Sequence, residues 1–470
     1  MSLLKKKTPQ IREKRLNAVS AYYDNAGPLL EELEEGEARQ RIRTFSQDAF
    51  NDILYALRLI NGIEDAAVVI HGPKGCGASQ VYFDSKSGSP GKWAITDINE
   101  KDSIIGSEAK LKEALLALYR TYRPAVIFIV MTPVVAINND DVQAVVEELG
   151  EELEVKLIPI FTDGFKSRVG AMGYDLVYHA LAKYLIGREG GEGGGFINLL
   201  SVEEAPEDLK ELERLVGKLG VNVNILPQKA TAGNFLNAGN ASLSVSINLD
   251  DSDYLGEVLE EKYGIGFIKP ALPVGLKGTA RWLGAVGENI AGPEKIEELT
   301  AREEEGLDIS QKGIEVEGLK VYLNLPPSYA FGVKEFLEEL GAEVVGITVP
   351  YIQQNHMAHL QTLLRQDREL NLHIAEGQSF EELNILKKLQ PDLYIGWEAN
   401  SAVAAAGIPS TAVGGLGILG YSGAERLLQR ISRAIKNRAY FNRISKAAGQ
   451  NYTQGWYSRK PNWYIKQEVK

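Results

Sequence analysis

Cysteine is nearly absent. Cys76 is the single one in 470 residues, which excludes an internal disulfide framework and fits a reducing cytoplasm. One thiolate also cannot hold a four-thiolate metal centre from this chain alone. No stretch approaches the roughly 18 consecutive apolar residues of a membrane-spanning helix. Positive charge is in deficit: 51 basic against 63 acidic side chains leave a net charge of −12. That balance argues against non-specific nucleic-acid binding and against an anionic membrane surface, so neither is an expected partner. Met1 to Arg15 is basic and polar without an apolar centre, and does not read as a secretory signal.

What is present is ordinary globular composition, 44% hydrophobic and 24% charged, in a chain long enough for two to four domains. Residues 1–45 read as a polar, helical N-terminal arm with Tyr22, Tyr23 and the acidic run Glu31 to Glu37. Asp48 to Leu59 reads as amphipathic helix, and Ser85 to Gly91 as a loop. Helical periodicity over Glu108 to Tyr122 places Leu111, Ala114, Leu115, Leu118 and Tyr119 on one face. The apolar run Ala125 to Met131 is a strand and Thr132 to Asp141 a loop, with Asp140 and Asp141 opening the next helix, where carboxylates suit the N-terminus. Strand Val155 to Ile160 and helix Tyr174 to Ile186 continue an alternation that specifies a parallel, doubly wound sheet.

The glycine-rich run Gly187 to Gly195 is the sharpest break and reads as a connection. Two further α/β units follow, one with strands at Phe196–Leu200, Asn222–Leu226 and Ser242–Ile247, the other with strands at Leu319–Leu323, Glu343–Val349 and Leu393–Gly396. The expected organisation is an arm at 1–45, Rossmann-like domains at 46–190, 191–315 and 316–440, and an aromatic tail at 441–470. With Tyr452, Trp456, Tyr457, Trp463 and Tyr464, that tail should pack on something.

The chemistry concentrates at Ala66 to Gln80, AAVVIHGPKGCGASQ. A β-branched strand delivers His71 and empties into a Gly/Pro-rich turn carrying Lys74, Gly75, Cys76 and Gly77, the setting in which α/β proteins place function. The glycines beside Cys76 leave room for a bulky group, and Lys74 adds positive charge. A buried, inert thiol beside a tight turn is the competing reading.

In its ordered motifs the chain resembles the catalytic component, component 1, of nitrogenase and its relatives: the cofactor scaffolds, the protochlorophyllide and other tetrapyrrole reductases, and methylthio-alkane reductase. HGPKGC at His71–Cys76 is similar to the family's cluster-binding loop. The segment from Thr96 into the helix at Glu108, the INNDD run at Ile137–Asp141 behind Pro133, and GFKSR at Gly164 also match, as do EKYGI at Glu261, PDLYIG at Pro391, GIP at Gly407 and GYSG at Gly420. The resemblance implies an α/β fold of three Rossmann-like doubly wound domains around a central cleft. It also implies a heterodimer or heterotetramer with a cysteine-richer homologous subunit, and an ATP-dependent iron–sulfur reductase that delivers electrons. On this likeness Cys76 is a metal ligand, Gly75, Gly77 and Thr132 line the cofactor position, and His71 and Lys74 are the catalytic candidates.

The departures matter as much. The family's first cluster cysteine would fall among Ala49, Phe50 and Asn51, and its third at Thr132. A four-iron cluster shared with the partner is compatible with Cys76 alone; an eight-iron cluster is not. The positions expected for the cysteine and histidine that hold the nitrogenase molybdenum, vanadium or iron cofactor fall near Asn248 and Gly414, neither of which replaces a thiolate or imidazole. His356 and His359 have helical metal-ligand spacing without a third donor beside them, and read as packing or surface side chains; His179 reads as structural. The expected function is a redox subunit relaying electrons through a shared cluster, with a non-catalytic scaffold for metallocofactor assembly as the alternative. A nucleotide-dependent dehydrogenase stands third, because no G-x-G-x-x-G follows the first strand.

Overall fold

The structure is a computed structural model describing residues 3–47, 51–87, 91–189, 195–305, 316–365, 369–449 and 452–467. Asp48, Ala49 and Phe50, residues 88–90 of the expected loop and residues 190–194 of the glycine-rich connection lie outside the described residues.

The N-terminal segment is only partly helical. Strand β1 (Tyr22–Asn25) is followed by the helix Ala26–Glu34 and strand β2 (Arg41–Arg43). The two tyrosines that looked like part of a solvated helix instead bring β1 against the third sheet described below. Glu32 is buried, and Arg41 reaches it at 2.6 Å, while most of the acidic run stays exposed.

The first sheet comprises β3 (Ala66–His71), β4 (Trp93–Ile95), β5 (Val126–Met131) and β6 (Lys156–Ile160), in the order β4-β3-β5-β6 and parallel throughout. β3 and β5 are buried along their whole length, which accounts for their unbroken apolar sequences. Val69, Ile127 and Ile129 pack with Leu111, Leu115 and Leu118 of the helix Glu108–Tyr122, the face that the periodicity predicts. Two expected loops contain helix: Ala78–Ser87 runs into the first, and Pro133–Asn138 forms a short helix inside Thr132–Asp141. Asp141 then caps the next helix, accepting from the Ala144 amide at 3.0 Å.

The second sheet is β7 (Phe196–Ser201), β8 (Asn222–Pro227), β9 (Leu243–Ser246) and β10 (Gly266–Ile268), ordered β10-β9-β7-β8 and parallel. The third contains β11 (Lys320–Asn324), β12 (Glu343–Val349), β13 (Asn371–Ile374), β14 (Leu393–Gly396) and β15 (Ser410–Ala412). Its order is β1-β13-β12-β11-β14-β15, with β1 antiparallel at the edge. A final strand, β16 (Ile465–Gln467), pairs antiparallel with β2. The fold is α/β with three Rossmann-like sheets, parallel apart from the β1 edge of the third.

The described residues form two compact units. One contains Met1–Ile11, Phe50–Glu203 and Asn222–Lys269; the other contains Arg12–Ala49, Glu204–Val221 and Pro270–Lys470. The grouping departs from linear order, since residues 204–221 and 270–305, expected with the second domain, fall in the unit that contains the third sheet.

A buried polar chain secures the second unit. The Arg43 guanidinium meets Glu381 at 3.1 Å, with side-chain exposures of 7% and 0%. Glu381 also pairs with His373 Nε2 at 2.9 Å, His373 Nδ1 lies 3.1 Å from Thr348, and the Tyr322 hydroxyl is 2.7 Å beyond. Burial pushes the Glu381 carboxyl up, but His373 and Arg43 outweigh it and hold the group below its usual value. The aromatic tail packs here: Phe380 meets Trp456 and Tyr464, each at 5.4 Å between ring centroids. Next door, Glu382 accepts from Asn324 at 2.6 Å and Tyr394 at 3.0 Å, and burial pushes its carboxyl up to about 7.

Removing the Arg43 cation leaves the Glu381 charge buried and short of a partner. Arg43→Leu is therefore expected to cost about 3–5 kcal/mol, read from the midpoint of urea unfolding. For Glu382 the folded pKa lies above the unfolded value of about 4.3, so the bound proton adds stability at acid pH, and that stability is lost as pH rises through about 7. Denaturant midpoints taken from about pH 5 to about pH 8 should fall in the wild type and fall less in Glu382→Gln.

Candidate functional site

The carboxyl ends of β3 and β5 define the site. From β3 the chain winds to β4 on one side and then crosses to β5 on the other, so the loops leaving β3 and β5 diverge from a topological switch point. His71 ends β3 in register with Met131 of β5. The next residues, Gly72 and Thr132, are in intimate contact: a Cβ on Gly72 would lie 2.2 Å from Thr132 Oγ1. Thr132 turns its hydroxyl and its amide on the His71 carbonyl, at 2.9 and 3.1 Å. Gly72 is thus required by the threonine standing in the position where the resemblance leads one to expect a third cysteine.

Beyond Gly72, residues Lys74–Gly77 make a single short helical turn, with the Cys76 amide bonded to the Pro73 carbonyl at 2.9 Å. Cys76 is half-buried. Burial pushes its thiol up, partly countered by a hydrogen bond with Thr132. Gly75 faces open space, with nothing within 4 Å of where a Cβ would stand, while a Cβ on Gly77 would press on Trp93 at 3.3 Å. Lys74 is exposed. The structure therefore gathers Gly75, Cys76, Gly77 and Thr132 at one place, with an accessible sulfur and room beside it.

His71 is fully buried, and both its ring nitrogens are engaged. Nδ1 lies 3.1 Å from Thr96 Oγ1, which also takes the Gly72 amide at 2.9 Å. Nε2 lies 3.4 Å from Ser107 Oγ, and the Ser107 hydroxyl is hydrogen-bonded to Asp140. Burial pulls the imidazole down to about 4, so the ring is neutral at ordinary pH. Thr96, Ser107 and Asp140 sit inside segments that carry the sequence resemblance, but nothing in their spacing pointed to His71.

Cys76 offers one metal ligand. Among the described residues no group of three or more His, Cys, Asp and Glu side chains could hold a metal ion, so the donor set fits one coordination position of a cluster and does not complete one. Asn51, in the window of the first expected cysteine, caps the helix Asp52–Ile60 by accepting from the Leu54 amide at 3.2 Å. Asn248 is buried and takes the Asp250 amide at 3.0 Å. At Gly414 a Cβ would lie 2.5 Å from the Trp397 carbonyl, which leaves no space for an imidazole. His356 is buried beside Tyr351 and Phe331, His359 lies 3.4 Å from Glu335, and His179 is bonded to Tyr254 at 2.8 Å.

A G-x-G-x-x-G spacing does occur, unnoticed in the sequence, at Gly415–Gly420 between β15 and the helix Gly420–Lys436. The amides where it runs into that helix are already taken. Leu419 donates to Asp208 at 2.7 Å, Ser422 to Glu211 at 3.3 Å, and Gly420 to the Pro273 carbonyl at 2.9 Å. The protein's own carboxylates occupy the place a phosphate would take.

Residues 53–436 match the family described as nitrogenase component 1 type oxidoreductase. The nitrogenase iron-molybdenum cofactor biosynthesis protein NifE of Methanococcus maripaludis is 29% identical over 345 residues, covering 71% of each chain. The nitrogenase molybdenum-iron protein alpha chain of Methanosarcina barkeri is 27% identical over 299 residues, covering 60% of this chain and 56% of that one. Among solved structures, one of nitrogenase Cp1 at pH 6.5 superposes with a TM-score of 0.71 at 20% identity, covering 85% of this chain and 94% of the other, a likeness of fold.

The Gly72–Thr132 contact is open to a paired test. Gly72→Ala alone should cost about 1–3 kcal/mol by overpacking. Adding Thr132→Gly should recover part of the loss, and a double-mutant cycle of urea midpoints reads the coupling.

Proposed function

The chain belongs to the nitrogenase component 1 type oxidoreductase family, and we propose that it is one subunit of a nitrogenase-like reductase complex whose interface cluster it shares through Cys76. The observation that carries this reading is the half-exposed thiol in a glycine-flanked turn at the switch point of the first sheet. A four-iron cluster would supply one-electron capacity when bound. Cys76 contributes one thiolate, and the open side at Gly75 admits a bulky group. Thr132 hydrogen-bonds the thiol, and His71 orients the loop from behind. Lys74 is exposed in the same turn and does not counter the burial that raises the thiol.

The remaining thiolates would come from a cysteine-richer homologous subunit, and electrons from an ATP-dependent iron–sulfur reductase. Exposed apolar side chains support a docking role for this end of the sheet: Ile104 and Ile105 follow β4, Ile137 follows β5 and Phe165 follows β6. A nitrogenase-type molybdenum, vanadium or iron cofactor held in the usual way is not part of the proposal, given Asn248 and Gly414. No described helix is long and apolar enough to cross a membrane, and the cytoplasm is the compartment that a lone cysteine favours.

The second reading is a scaffold that carries a metallocofactor under construction. The observation favouring it is the similarity to proteins named for iron-molybdenum cofactor biosynthesis.

The deciding measurement is iron and acid-labile sulfide content, with electron paramagnetic resonance, on the anaerobically co-expressed complex. Loss of iron in Cys76→Ala is the expected result. Iron unchanged by the substitution would assign any cluster to the partner and favour the scaffold.

A further inference from the structure

Ser107 and Asp140 determine how the protons around His71 are arranged. An ionised carboxylate has no proton to give, so the Ser107 hydroxyl must donate to Asp140. Only lone pairs of Ser107 then remain to face His71 Nε2 at 3.4 Å, and that nitrogen must carry the ring's single proton. Nδ1 is therefore an acceptor, and the Thr96 hydroxyl donates to it across 3.1 Å in preference to the Gly72 carbonyl, 3.3 Å away. Thr96 in turn accepts the Gly72 amide at 2.9 Å. Every donor points the same way, from the loop's first amide to Asp140, and each link polarises the next.

We propose that Asp140 is a positioning residue for the Cys76 loop: through Ser107 it fixes His71 as the Nε2–H tautomer, and through Thr96 that ring anchors Gly72, where the loop begins. Asp140 lies 3.7 Å from His71 Nε2, and its side chain is 5% exposed. It lines a cavity of about 420 Å³ at the carboxyl ends of β5 and β6, together with Asn139, Asp141, Asp163 and Lys166. Burial of the imidazole keeps the ring neutral, as a fixed tautomer requires. Were the order reversed, with Nδ1–H donating to Thr96, Ser107 would have to serve both the carboxylate and Nε2 with one proton. The role given to the loop rests on the proposed function; the hydrogen-bond order does not.

The test uses the full chain, metal-free and labelled with ¹⁵N-histidine, with the His71 signals identified by their loss in His71→Gln. Long-range ¹H–¹⁵N correlation reads the tautomer, and iodoacetamide alkylation of the sole thiol reads the loop. The wild type is expected to show Nε2–H. Asp140→Leu, which removes the acceptor, should move the ring toward Nδ1–H and speed alkylation about fivefold, the effect of losing roughly one buried hydrogen bond. Asp140→Ala, which removes the same acceptor with a smaller side chain, should behave likewise, giving a second route to the result if the leucine variant folds poorly. Asp140→Asn, whose amide oxygen can still accept from Ser107, should restore both readouts. An Nδ1–H ring in the wild type overturns the proposal. So does a folded Leu or Ala variant in which either the tautomer or the alkylation rate is unchanged. Neither readout involves iron, so failure here is separable from retention of iron in Cys76→Ala.

Discussion

The structure at the loop depends on one close approach. β3 and β5 run side by side, fully buried, and at their shared carboxyl end the backbone of Gly72 touches the side chain of Thr132. Everything proposed for the site follows from that contact. It sets the direction in which the chain leaves β3, places Cys76 where its thiol reaches Thr132, and puts the Gly72 amide under Thr96. A larger residue at 72 would part the strands' ends, and with them the thiol and the buried ring behind it.

The third sheet shows the same preference for filling polar positions from within. Its Gly-rich turn before the helix at Gly420 has the outline of an anion site, yet Asp208 and Glu211 already satisfy the amides. Burial pushes the Asp208 carboxyl up to about 7, so the protein tolerates a strained acid to hold that helix end. Two of the glycines are explained by proximity rather than by a ligand: a Cβ at Gly417 would meet Glu207 Cβ at 2.8 Å and one at Gly420 would meet Glu211 Cγ at 2.4 Å, while Gly415 is in the left-handed region at φ +72°. Fold-level likeness to nucleotide-binding proteins therefore carries no nucleotide with it.

Much of this was readable beforehand, for identifiable reasons. The helix Glu108–Tyr122 and the strand Glu343–Val349 have long, unambiguous periods and begin and end where the sequence pattern does. β4 and β10 are three residues each and too short to register as a pattern. The N-terminal arm misled because a strand that adds to a sheet edge has no local signature; its partners lie some 350 residues away, as Tyr22 opposite Ile374 shows. The Cys76 loop stood out through composition and family likeness. The support behind it did not, because Thr96, Ser107 and Asp140 reach His71 across 25, 36 and 69 residues of chain, the last from 140 minus 71.

The pairing of β2 with β16 has a consequence for biosynthesis. Arg41–Arg43 leaves the ribosome early, yet Ile465, which pairs with Arg43, follows it by 422 residues, 465 minus 43. That pairing thus cannot form until Gln467 has been made, whereas the first sheet has all its strands by Ile160. One half of the molecule can settle on the ribosome while the other waits with an open edge, exposed to aggregation or to early capture by a chaperone. A chain cut before Ile465 would leave β2 without this partner indefinitely.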